Sequence, residues 1–178
     1  MKSVIRTLAV AAGLLVVATF KLGAQAPALQ AEALKDLTNQ KETMAKIADA
    51  MPEDKFAYKS TPAQRSYGEQ VLHIAGVNNM LFKLLGSKAV APTMNPKATA
   101  KAEILKALAD SYDFGIAAVK EQTDATMLQS VQAPAFLGPS SRERIVYQVM
   151  IHANDIYGQM AVYLRLNSIV PPASRGSM

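Results

Sequence analysis

The sequence predicts an all-α fold, a four-helix bundle. Three observations lead there. From Leu29 onward the apolar residues recur at helical spacing in four long segments. Three of those segments open with helix-start signals, a Thr, Asn or Ser cap followed by Pro or an acidic residue. Nothing reads as strand alternation, an Asn-Gly hairpin or a βαβ unit.

The first segment covers residues 29–51, with Leu34, Leu37, Met44, Ile47 and Met51 as its apolar set, and Pro52 ends it. The connector 53–60 is polar except for Phe56 and Tyr58, which are expected to fold over the bundle end. Thr61-Pro62-Ala63-Gln64 reads as a capping box that opens the second helix, which runs to Leu85 and stops at Gly86. Val71, Ile74, Val77, Met80, Leu81, Leu84 and Leu85 form its broad apolar arc, with His73 at the edge. Asn95-Pro96 opens the third helix, to about residue 122, with Ile104, Leu105, Leu108, Tyr112, Ile116 and Val119 inside. Residues 123–139 are expected to be irregular. Ser140-Ser141-Arg142-Glu143 reads as another capping box, opening a last helix that Pro171-Pro172 stops. Ile145, Val149, Ile156, Met160 and Tyr163 make its stripe, and His152 lies within it.

The 178 residues suit one domain, and 50% hydrophobic with 19% charged side chains is a globular composition. Cysteine is absent, which excludes disulfides, thiolate metal sites and a cysteine nucleophile. Residues 1–26 read as a secretory leader: Lys2 and Arg6, then an apolar stretch from Thr7 to Phe20, then small residues. The stretch falls short of the roughly 20 residues a membrane span needs. Cleavage is expected between residues 24 and 28, giving an exported protein, periplasmic or secreted, with a domain over residues 29–174 and no membrane attachment once processed. The net charge of +5 loses Lys2, Arg6 and Lys21 with the leader, leaving 16 basic against 14 acidic side chains, or +2. With no basic run interleaved with aromatics, no nucleic-acid partner is expected.

Chemistry is sparse. Gly-x-Gly-x-x-Gly, Walker and Gly-x-Ser-x-Gly sequences are absent, and no Glu-x-x-His pair marks a di-iron bundle. No catalytic residue is legible. His73 and His152 are the only histidines, each toward the inner side of a long helix. Either is most simply a hydrogen-bonded core residue. Two on facing helices can also converge on one metal ion, since bundle cores build sites that way. Glu69, Asp155 and Gln159 are nearby polar candidates, each read more simply as solvated or hydrogen-bonded.

Tyr67-Gly68-Glu69-Gln70-Val71-Leu72-His73-Ile74-Ala75 resembles the second-helix histidine segment of the DinB/YfiT-like family. His152-Ala-Asn-Asp-Ile-Tyr-Gly-Gln159, continuing through Tyr163-Leu164-Arg165 to Pro172, resembles that family's last helix and exit, and Met51 to Tyr58 is similar too. The resemblance implies a four-helix bundle with one divalent metal. Its three ligands are one histidine on helix two and a His-x-x-x-His pair on the last helix. His73 matches the first and His152 the second, but the third position is Ile156, which has no donor atom. The expectation is therefore an exported DinB-like protein of unassigned function with a degenerate site, in which His73 and His152 hold zinc or nickel weakly, with water, Glu69 or Asp155 completing the shell. If the chain is an enzyme, the resemblance points to a metal-dependent hydrolase with an altered ligand shell, because thiol cosubstrates are chiefly cytosolic. The other alternative is a non-catalytic binding or scaffolding bundle, whose pocket between helices two and four holds an apolar small molecule. A homodimer is suggested by the resemblance alone.

Overall fold

Four long helices account for most of the described residues: α1 (Leu29–Asp49), α2 (Tyr67–Phe82), α3 (Lys101–Lys120) and, after the single-turn α4 (Asp124–Met127), α5 (Arg142–Leu166). The computed structural model describes residues 28–176, so the expected leader lies outside the described residues. α1 and α2 each pack against both α3 and α5. The order around the bundle is thus α1, α3, α2, α5, and the two histidine-bearing helices are neighbours. No helix among the described residues is long and apolar enough to cross a membrane.

The apolar stripes meet in two layers. One contains Met44, Ile47, Met51, Phe56, Tyr67, Ile74, Tyr112, Ile156, Met160 and Tyr163. The other contains Leu37, Phe82, Leu85, Phe114, Val119, Met127, Ile145 and Val149. Each fully buried large side chain contributes on the order of 1.5–3 kcal/mol. Phe56 and Tyr58 do fold over the end of the bundle, Phe56 fully and Tyr58 partly buried. Met80 departs from its expected place in the apolar arc, at 43% exposed.

The helix starts differ from the sequence reading, each for a local reason. Thr61 and Gln64 close a turn of their own, the Gln64 N–H donating to the Thr61 carbonyl at 3.1 Å. α2 begins later because the connector supplies acceptors for its first turn: Tyr67 N–H donates to the Tyr58 carbonyl (3.0 Å) and Gly68 N–H to the Phe56 carbonyl (2.9 Å). The capping box is Ser66 with Glu69. Asn95 caps only a turn, its side-chain carbonyl accepting from Lys97 N–H at 3.0 Å, and α3 opens at Lys101. Lys101 instead ties that start to the end of α1, donating to the Asp49 and Met51 carbonyls at 2.8 and 3.0 Å. Ser140 is not the cap of α5; it lies one residue further out, in a short antiparallel ladder. There β1 (Ser130–Val131) pairs with β2 (Ser140–Ser141), Ser130 opposite Ser141. Ser141 takes over, its hydroxyl accepting from Arg144 N–H at 3.2 Å. Gly86 ends the second helical segment as expected, in the left-handed region at φ 65°.

Candidate functional site

The entry to α2 is rigid, and that fixes the site. Tyr67, fully buried, donates its hydroxyl hydrogen to the Ile47 carbonyl of α1 and packs against the rings of Phe56 and Tyr163. Tyr163 of α5 donates its hydroxyl hydrogen to the Arg65 carbonyl at 2.7 Å. The start of α2 is thereby tied to α1 across the bundle and to α5 beside it.

Less than two turns further along α2, His73 meets His152 of α5. Their Nε2 atoms are 3.0 Å apart and their rings stand edge to face, centroids 4.9 Å apart at 68°. At that distance one ring donates and the other accepts, so at most one of the facing nitrogens carries hydrogen. Both rings are half-buried. Burial pushes His73 below the ordinary imidazole range, with the Arg65 charge and then His152 adding to it. Burial also lowers His152, against an opposing pull from Asp155 and with Arg65 on the same side as burial. The pair is neutral at neutral pH. Nδ1 of His152 is buried and has no partner among the described residues.

The other polar residues singled out by sequence have their own partners. The Glu69 carboxylate accepts from Ser66 N–H at 2.6 Å and lies 3.5 Å from the Lys59 ammonium. The Ser66 N–H holds that carboxyl below its ordinary range. Gln70, wholly buried, donates to Gln159 at 2.8 Å, and Gln159 donates to Asp155 at 3.0 Å. Ile156, one turn after His152, is 3% exposed and belongs to the apolar core.

Beside the histidines lies an open cleft of about 640 Å³. His73, Arg65, Leu72, Val77, Met80 and Met94 line it, together with Lys59 and Glu69. Sequence reasoning missed Arg65 and put the small-molecule pocket between the second and fourth long helices, whereas this cleft is lined by α2 and the connectors before and after it. Arg65 is one base among many in the sequence, and only the packing of α2 on α5 brings it near both rings.

A family model described as the DinB superfamily matches residues 36–160. The chain belongs to the DinB superfamily. Its DinB fold is also similar to the crystal structure of a DinB-like protein from Bacillus cereus ATCC 10987. That match has a TM-score of 0.70 at 20% sequence identity, over 79% of this chain and 93% of that one. No curated protein matches the chain. The family match takes in both histidine-bearing segments of this DinB chain.

The donor set does not fit the three-histidine metal site that the resemblance implied. His73 and His152 do converge, but no group of three or more His, Asp or Glu among the described residues is arranged to hold a metal ion. A metal-ligating imidazole normally donates its second N–H to an acceptor that orients it. Nδ1 of His152 has no such acceptor. The Arg65 charge, which disfavours protonation of both rings, disfavours a cation between them by the same repulsion.

Proposed function

We propose that this DinB chain is an exported, non-catalytic bundle that binds a small organic molecule in the cleft beside His73, with the family's metal centre reduced to two histidines. One observation carries the reading. Ile156, at the position where the resemblance implies a third ligand, is buried in the core, while His73 and His152 bond to each other at 3.0 Å next to an open cleft. Without a third nitrogen or a carboxylate, zinc and nickel bind weakly, and no metal-activated water is available as a nucleophile.

A metal-dependent hydrolase with an altered shell is the second reading. Its support is the 3.0 Å separation, short enough for two nitrogens to share one ion at about 2.0–2.1 Å each. Elemental analysis of the untagged protein purified from its native compartment separates the two. The binding-bundle reading expects zinc and nickel well below one per chain. Stoichiometric metal overturns it in favour of the hydrolase. N-terminal sequencing of the same sample tests export, with a mature start expected between Gln25 and Leu29. A full-length cytosolic chain overturns that part.

A further inference from the structure

Resting on the small-molecule reading above, we infer that the ligand is an organic monoanion with an apolar body, its carboxylate held at Arg65 and its body against Leu72, Val77, Met80 and Met94. Charge comes first. Glu69 is the only acid lining the cleft among the described residues, and Lys59 stands 3.5 Å from it, so these two largely cancel. Arg65 has no hydrogen-bond or ion-pair partner for its guanidinium among the described residues. It is the uncompensated charge of the cleft, and a planar guanidinium matches a carboxylate in two parallel hydrogen bonds. His73 lines the same cleft with its Nε2 engaged by His152, which leaves Nδ1 as the ring nitrogen open to a ligand.

The apolar half of the argument is independent of charge. Met80 is 43% exposed although its helix neighbours are core residues, and Leu72, Val77 and Met94 continue the same wall. Methionine adapts its shape to an apolar guest. A contiguous apolar wall beside an unpaired cation suits a molecule that carries both features. An inorganic anion would leave the wall bare, and a neutral hydrocarbon would leave Arg65 unpaired.

The test uses the mature protein and four probes: octanoate, octan-1-ol, octylammonium and inorganic phosphate. Binding is followed by the ring-proton signals of His73 and His152, the only two histidines of the chain. Octanoate is expected to shift both signals and to bind at least tenfold more tightly than octan-1-ol. Octylammonium and phosphate are expected to bind more weakly still. Arg65→Gln is expected to weaken octanoate at least tenfold and leave octan-1-ol unchanged, and Arg65→Lys to recover part of the loss. The guanidinium has no internal partner, so these variants keep the fold. Equal binding of octanoate and octan-1-ol, insensitive to Arg65, overturns the anion inference and leaves the small-molecule reading standing. Phosphate binding as tightly as octanoate overturns the apolar-body half. No response to any probe overturns both readings.

Discussion

The Phe82 ring occupies the space that a side chain at position 115 would need. A Cβ built on Gly115 would lie 2.1 Å from Cε2 of Phe82, which is itself fully buried and stands edge-on to Phe114, centroids 6.4 Å apart. Gly115→Ala is expected to destabilise the bundle by about 1–3 kcal/mol through overpacking. This holds although Ala favours a helix over Gly by roughly 1 kcal/mol. Urea denaturation measures the change. Combined with Phe82→Leu, the loss should be smaller than the sum of the two single losses, because the residues share one space.

The histidine pair makes stability fall in mild acid. Both rings titrate below the ordinary value of about 6.5 when folded, so the unfolded chain binds more protons over that interval. Their contribution is complete above pH 7 and is lost as pH falls through 6.5 toward the folded values. The urea midpoint should drop between pH 7.5 and pH 5.5, and His73→Gln with His152→Gln should flatten that slope. An unchanged slope in the double variant would mean that other groups carry it.

A third nitrogen beside His73 and His152 should raise metal affinity. Residues 152 and 156 are one turn apart on α5 and share a face. Ile156→His is expected to bind zinc at least tenfold more tightly than the natural chain, about 1.4 kcal/mol. Without zinc it should lose on the order of 1–3 kcal/mol, since it buries a polar ring in place of a core aliphatic. Added zinc should return that loss, because it binds the folded state. Thermal unfolding with and without zinc reads all three effects.

The start of α2 depends on Ser66. Ser66→Ala removes the acceptor of the Glu69 N–H and should cost about 0.5–2 kcal/mol. Thr61→Ala, in the turn before the helix, should stay within about 0.5 kcal/mol. Denaturant midpoints of the two variants separate the cap from the turn.

The stripes of the four long helices were legible because burial repeats with the helical turn. Leu37, Met44 and Ile47 on α1, and Met51 just beyond its end, all lie in the core. The starts were harder to read because caps and turns use the same residues. Thr61-Pro62 and Asn95-Pro96 carry helix-start chemistry but close isolated turns, whereas Ser66 and Glu69 cap α2 reciprocally while Tyr67 and Gly68 donate to the carbonyls of residues 58 and 56. Spacing put His73 and His152 on inner flanks. Their 3.0 Å meeting depends on how α2 crosses α5, which no local pattern encodes. For the same reason Gly115 read only as one small residue in a helix, and Arg65 as one surface base among many.

The bond from Tyr163 to the Arg65 carbonyl has a kinetic consequence. It fixes the backbone of Arg65 to α5 and leaves only the guanidinium arm free to swing. A ligand that engages the arm therefore orders one side chain and no loop, at a cost of about 0.5–1.5 kcal/mol. Exposed side chains reorient within nanoseconds, far faster than loops close. Capture at this rim should proceed in one step, its observed rate rising linearly with ligand concentration and showing no plateau.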